Sequence, residues 1–382
     1  MTVAAEAARP GSVVPHPDAA KVMIVDDSAV VRGLVTRMIA EEPSVNVVAS
    51  CGNGQIAVQK LAHLDVDIIL LDIEMPVMDG LTALPKLLAV NPDVKIIISS
   101  TLSERNAQIS LTALELGAAD YVTKPTASVG ANTEFKTELL QKLKLFGARR
   151  RVERQRAPKP AIDRTPSKEP VRPVERPSRP IVLRQPGQHK PQILAVGSST
   201  GGPQALFSFF KALPRTIGVP VVVTQHMPAT FTKILAEHIN RASGWPCREA
   251  ANGDVLKANE IYVAPGNQHM LIEARRDERV VSLTQDPPEN FCRPAVDPML
   301  RSLVRIYGSK IFTVILTGMG SDGLRGGREV VAAGGTLIAQ DEASSVVWGM
   351  PGAVAGDGLC AAVAPIAELA SLAAKAFMGS HR

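Results

Sequence analysis

Long apolar runs are missing from this chain. None approaches the ~18 consecutive apolar residues that a membrane-crossing helix needs, which argues against direct membrane insertion. The first twenty residues are rich in Ala and Pro but lack an apolar core, so no export signal is expected there and the expected compartment is the cytoplasm. Cysteine is scarce. Cys51, Cys247, Cys292 and Cys360 lie far apart with no C-x-x-C spacing. That argues against a zinc site or a disulfide framework and fits a reducing compartment. No Walker phosphate loop occurs. What is present is a chain of 382 residues, long for one domain and natural for two.

The formal net charge of +5 invites a nucleic-acid reading, but the location of the charge weakens it. Between Arg149 and Lys190 thirteen Lys/Arg face four Asp/Glu, a net +9, which leaves −4 on the rest. The same stretch holds eight prolines and almost no apolar periodicity. It reads as an extended, self-repelling tether. The expected division is a tail over 1–20, a first domain over 21–147, a basic Pro-rich linker over 148–190, and a second domain over 191–382.

In the first domain "KVMIVDDSAVVRGLVTRMIAEE" opens on a β-rich run, passes through acids, and continues as a helical pattern. "VDIILLDIEMPVMDGLTALPKLL" repeats the plan, and "KIIISSTLSERNAQISLTALELGAADYVTKP" adds two more strands around a helix. Strands alternating with helices imply a parallel sheet covered on both faces. The strand C-termini at a switch point of such a sheet form the site. Asp26, Asp27 and Asp72 fall at those ends. Three carboxylates brought together repel unless a cation joins them, and Mg²⁺ suits oxygen donors. Lys124 and Ser99, also at strand ends, can bind phosphate oxygens. A single acid there would be an ordinary helix cap; the ordered set over four strand ends is more telling.

Those residues, in "VDDS", "LLDIEMPVMDG", "SS" and "TKP", resemble a two-component receiver domain of flavodoxin-like fold. The resemblance implies that a histidine kinase phosphorylates Asp72, with Mg²⁺ held by Asp26, Asp27 and Asp72. It assigns Lys124 and Ser99 to sensing the phosphoryl group, Ser99 being preferred over Ser100 because it ends the apolar run. Tyr121 would be the companion aromatic of the switch.

The second half shows the same rhythm in "ILAVGSSTGG", "VPVVVTQHMPATFTKILAEHI" and "KIFTVILTGMGSDGLRGGREVVAAGG", and reads as another mostly parallel α/β domain. Its strand ends carry Ser198, Ser199 and Thr200, then Gln225 and His226, then Met319 and Asp322. Serine, histidine and aspartate in that setting suggest an acyl-transfer triad. A serine hydroxyl needs a base to take its proton, His can do so near neutral pH, and an acid behind the imidazole fixes its tautomer. Glycines beside the serine and a following helix N-terminus favour an oxyanion. The same hydroxyls also suit a helix cap or a phosphate cradle. His269 in "APGNQHM" is a competing base, whereas His63 and His238 fall in helical patterns as surface or packing residues.

Six segments in order, "GSSTGGP", "TQHMP", "APGNQHM", "RPAVDPML", "LTGMGSDG" and "AQDEASSVVWGMPG", resemble the catalytic domain of the chemotaxis protein-glutamate methylesterases, a Rossmann-like fold. The resemblance implies Ser199 as nucleophile, His226 as general base and acid, and Asp322 as the orienting carboxylate. Thr200 and Met319 would border the oxyanion site, Met319 through its backbone N–H. It implies demethylation of glutamyl γ-methyl esters on chemoreceptor helices, with methanol released, and deamidation of selected glutamines, with no cofactor in this domain. Steric control of the cleft by the receiver is expected, relieved by phosphorylation of Asp72. Two rivals remain: a DNA-binding output domain, for which no helix-turn-helix is evident, and a silent receptor-binding adaptor.

Overall fold

The structure is a computed structural model that describes residues 16, 18–124, 131–156 and 181–378. It contains two compact units, one within residues 1–174 and the other within 175–382. No helix among the described residues is long and apolar enough to cross a membrane.

The first unit alternates strand and helix throughout. Its elements are β1 (Ala20–Val25), α1 (Ala29–Ala40), β2 (Val45–Cys51), α2 (Gly54–Leu61), β3 (Ile68–Asp72), α3 (Gly80–Val90), β4 (Lys95–Ser100), α4 (Glu104–Glu115), β5 (Asp120–Thr123) and α5 (Ala131–Arg156). The strands form one parallel sheet in the order β2-β1-β3-β4-β5. Every residue of β3 is buried, as expected where helices cover both faces. The order in which strands are added reverses between β1 and β3, which places the acids that follow β1 beside Asp72 at the end of β3.

Two expected boundaries shift. Helix α5 runs through to Arg156, beyond the expected end of the domain at 147. Phe135, Leu139, Leu143 and Phe146 recur at helical spacing and are all buried. Arg150 continues that buried face, with Asp67 at 3.8 Å and Asp93 at 3.6 Å. Its charge is thus ion-paired, not solvated as a tether would require. At the other end, residues expected in the linker bind the second unit. Arg184 N donates to Cys360 O at 3.0 Å, Gly187 N to Thr336 Oγ1 at 2.9 Å, and His189 Nδ1 meets Ser309 Oγ at 3.0 Å. The rest of the expected linker, 157–180, and nearly all of the expected tail lie outside the described residues.

The second unit contains β6 (Ile193–Ser198), α6 (Gly202–Ala212), β7 (Val221–Gln225), α7 (Ala229–Ser243), β8 (Cys247–Glu249), β9 (Ile261–Val263), β10 (His269–Arg275), β11 (Glu278–Thr284), α8 (Val296–Tyr307), β12 (Ile311–Ile315), α9 (Leu324–Ala332), β13 (Thr336–Gln340), α10 (Met350–Gly356), β14 (Ala362–Ala364) and α11 (Ile366–Met378). Seven strands form a parallel sheet in the order β14-β13-β12-β6-β7-β9-β8. Strands β10 and β11 form a separate antiparallel hairpin, tied to α8 where Ile272 N donates to Ser302 Oγ at 2.9 Å. The central strand β6 has β7 on one side and β12 on the other. The ends of β6, β7 and β12 therefore open at one switch point.

Candidate active site and phosphoacceptor site

Ser199 follows β6 directly. Its N–H donates to Thr317 O at 3.0 Å, and its carbonyl accepts from Gly202 N at 2.7 Å and from Gln225 Nε2 at 2.9 Å. The backbone at Ser199 is thus fixed from three sides, while the residue stays partly exposed. Ser198 differs. It is fully buried, and its hydroxyl donates to Gln225 Oε1 at 2.7 Å. Of the two serines, only Ser199 is open to a substrate. Position 202 must be glycine for this arrangement, because a Cβ there would lie 1.9 Å from Gln225 Oε1.

His226 follows β7 as Ser199 follows β6. Ser198 and Gln225 are register partners, and His226 N donates to Ser198 O at 3.2 Å. The imidazole Nε2 lies 2.8 Å from Asp322 Oδ2. Asp322 is 2 % exposed in its side chain and accepts four further hydrogen bonds. They come from Val296 N (2.6 Å), Asp297 N (3.1 Å), Gly323 N (3.0 Å) and Asn290 Nδ2 (2.9 Å). Val296 and Asp297 open helix α8, so Asp322 places an anion at the positive end of a helix dipole. Burial alone would push its carboxyl up, but the His226 contact and these backbone donors hold it below the usual range. An ionised carboxylate only accepts, so the proton between the pair sits on Nε2.

The other ring nitrogen, Nδ1, lies 3.3 Å from Cys292 Sγ. Among the described residues, the Ser199 hydroxyl makes no hydrogen bond to the ring. The structure thus joins His226 to Asp322 and places Ser199 on the adjacent strand end, with Cys292 on the nitrogen that faces away from the acid. Burial disfavours charge on His226, yet the bonds to Asp322 and Cys292 outweigh it and hold the ring well above its ordinary range.

Thr200 is buried, and its carbonyl accepts from Thr317 Oγ1 at 2.9 Å. Gly318, next to Met319, lies against Ser199: a Cβ on it would be 2.9 Å from Ser199 Cβ. The backbone N–H groups of Thr200 and Met319 donate to no protein group among the described residues. His269 is excluded as a base. It is 2 % exposed, Nδ1 accepts from Ala295 N at 3.2 Å, and Nε2 meets Pro287 O at 3.2 Å. His238 is buried near Phe207, with ring centroids 6.1 Å apart, and His63 is exposed.

Sequence reasoning gave no role to Asn290, Cys292 or Asp297. Asn290 donates to Asp322 and, at 3.0 Å, to Asp297 Oδ2. Asp297 is fully buried. Burial and the nearby Asp322 charge push it up, although Gly326 N and Asn290 donate to it. Two neighbouring acids are thus driven in opposite directions. The available signal was the position of Asn290 and Cys292 just before "RPAVD", but nothing local shows that this segment reaches strand ends β7 and β12.

In the first unit, Asp26, Asp27 and Asp72 each bring a carboxylate oxygen within 4.8 Å of the others. Lys124 Nζ lies 2.9 Å from Asp26 Oδ2 and 2.8 Å from Asp72 Oδ1. Burial pushes Asp72 up against the pull of Lys124, with Asp26 adding repulsion. Ser99 is the register partner of Asp72 on β4 and is buried. Ser100 points elsewhere, its hydroxyl turned to Asn106 O at 3.4 Å. Tyr121 is buried on β5, with the Lys142 ammonium 5.1 Å from its ring centroid. An all-oxygen acidic cluster with one half-buried cation beside it fits a hard divalent ion such as Mg²⁺.

Residues 194–373 match the CheB methylesterase family, and residues 22–130 match the response regulator receiver domain. A protein-glutamate methylesterase/protein-glutamine glutaminase 1 of Paramagnetospirillum magneticum is 53% identical over 366 residues, covering 93% of this chain and 96% of that protein. The protein of the same description, without the numeral, from Azospirillum brasilense is 54% identical over 363 residues, covering 92% and 91%. Such coverage spans both units in the same order. With its receiver-like acids in the first unit and the His226–Asp322 pair beside Ser199 in the second, this chain belongs to the protein-glutamate methylesterase/protein-glutamine glutaminase family.

Proposed function

We propose that this chain is a phosphorylation-activated hydrolase that removes γ-methyl esters from glutamates of chemoreceptor helices and deamidates selected glutamines there. Residues 21 to about 156 act as the receiver, and the chain from about 181 onward acts as the hydrolase, in the cytoplasm. The observation that carries the reading is the 2.8 Å contact between His226 and Asp322 at the strand end next to the accessible Ser199.

Ser199 Oγ attacks the γ-carbonyl carbon while a neutral His226 takes its proton. Because Nε2 donates to Asp322, the basic atom is Nδ1, and it must pass from Cys292 to Ser199 before attack. The N–H groups of Thr200 and Met319 meet the negative oxygen of the tetrahedral intermediate. The imidazolium returns its proton to the leaving group, methanol from an ester or ammonia from an amide, as the Ser199 acyl ester forms. Water, deprotonated by His226, then cleaves that ester to glutamate and regenerates the hydroxyl. Asp322 stabilises the imidazolium throughout.

In the receiver, Asp72 accepts a phosphoryl group from a histidine kinase. Asp26, Asp27 and Asp72 would hold Mg²⁺, which neutralises charge on the transferring group. Lys124 and Ser99 bind the phosphoryl oxygens, and the altered charge shifts the receiver between two conformations. The test is methanol release from methylated receptors. Ser199→Ala abolishes it and leaves the fold intact, whereas retained turnover in Ser199→Ala, with loss in Ser198→Ala, would overturn the assignment.

A further inference from the structure

The segment Glu289–Cys292 is a two-residue turn. Glu289 N donates to Cys292 O at 3.1 Å, and Cys292 N to Glu289 O at 2.9 Å. Its central residues, Asn290 and Phe291, have φ of 54° and 63°. Positive φ at both centres is the I′ pattern, whose second position favours glycine. A bulky residue there is a true outlier, with strain on the backbone. Phe291 gains nothing from burial in return, since it is 103% exposed. Neither backbone preference nor packing within the second unit accounts for an aromatic ring at this position.

The turn is also held rigidly against the catalytic pair. Asn290 Nδ2 donates to Asp322 Oδ1, and Cys292 Sγ touches the His226 ring. Arg301 grips Glu289 with both guanidinium NH2 groups, NH1 at 2.8 Å from Oε1. Phe291 is therefore a strained, solvated, pre-positioned aromatic, one residue (about 3.8 Å between Cα atoms) from a side chain that contacts the general base. The ring thus stands at the surface next to the catalytic pair.

We propose that Phe291 is a docking residue for the substrate helix, packing on apolar side chains about one helical turn from the reactive glutamate. The inference rests on the chemoreceptor reading above. A helix brings residues i±3 and i±4 onto the face of residue i, so an aromatic fixed beside the catalytic pair meets that face when the ester enters. A rigid aromatic gives large contact area with little side-chain entropy to lose. The strain is then kept because the ring is used at binding.

The test compares two substrates in the full-length chain: a soluble methylated chemoreceptor cytoplasmic fragment, and the γ-methyl ester of an N-acetylglutamate amide. Expected for Phe291→Gly is a fall of about tenfold or more in the ratio of kcat/KM for fragment over small ester, mostly through KM. Phe291→Trp restores the ratio. Because glycine suits positive φ, Phe291→Gly melts no lower than the parent chain, which separates docking from misfolding. A ratio within about twofold of the parent overturns the proposal. So does a loss seen only with receptor-bearing vesicles and not with the soluble fragment, which would make the ring a lipid contact. So does a change in oligomeric state alone, which would make it a contact between copies of this chain. If the parent chain cleaves the small ester but not the fragment, the receptor reading itself fails and takes the proposal with it.

Discussion

Replacing Cys292 by Ala should move the acid limb of the ester-hydrolysis pH profile toward lower pH. Burial favours a neutral His226, and two contacts reverse that preference: Asp322 on Nε2 and Cys292 on Nδ1. A hydrogen bond to a charged group contributes about 1.5–3 kcal/mol, and one pKa unit corresponds to about 1.36 kcal/mol. The ring is mostly buried, with its side chain 12% exposed, so solvent screening removes little of this. Losing the sulfur should lower the ring by about 1–2 units. Only the neutral ring can take the Ser199 proton, so kcat/KM of the parent rises with pH through the raised value, and the variant reaches its plateau about 1–2 units earlier. The assay is hydrolysis of a small soluble ester across the pH range, with Asp322 intact in both proteins. Stability changes in the same sense. A base held above its unfolded value stabilises the fold fully below that unfolded value, and the gain is lost as pH rises through the folded one. The variant should show less of this excess stability near neutral pH. An acid limb unmoved in Cys292→Ala would refute the argument that sulfur at 3.3 Å helps hold the proton.

Asp322→Asn keeps the shape but removes the charge that fixes the imidazole, and turnover should fall on the order of 10³–10⁴-fold. Its stability deficit, measured by urea unfolding, should be present above the unfolded carboxylate range and vanish as pH falls through the lowered folded value, where the parent loses the same contribution. Gly202→Ala forces Gln225 from its place, since the new Cβ would meet Oε1 at 1.9 Å. The expected cost is about 1–3 kcal/mol, with reduced ester turnover because Gln225 holds the Ser199 carbonyl; full stability and activity would refute the close-packing argument. Chelating divalent ions should block transfer of phosphate from a small phosphodonor to Asp72, followed by intact-mass measurement, and leave basal hydrolysis of the small ester unchanged. Loss of both together would place a metal in the hydrolase unit.

Much of the site was legible because parallel α/β sheets put chemistry at strand C-termini. The short β-branched runs located those termini, and Asp26, Asp27, Asp72, Ser99, Ser199, His226 and Asp322 stand at or just beyond them. Ser199 was preferred over Ser198 on the family resemblance alone; that Ser198 is buried on Gln225 appears only in the structure. That two backbone contacts occupy the His269 ring was also visible only there. The basic run after residue 148 misled at both ends. Charge pattern cannot show that Arg150 finds Asp67 and Asp93, or that residues 184–189 bind along the second unit.

Cys292 shows the limit most clearly. In the sequence it is one of four scattered cysteines, 66 residues from His226. Local patterning determined the element types, their order and the polar residues at their ends, because those follow from side-chain periodicity and turn chemistry along a continuous segment. Only the tertiary structure decided that β6, β7 and β12 lie side by side, that α8 aims its N-terminus at Asp322, and that the 289–292 turn bends onto the ring. Those facts depend on which distant segments pack together, and a hydrogen bond of 3 Å is set by that packing, not by spacing in the chain.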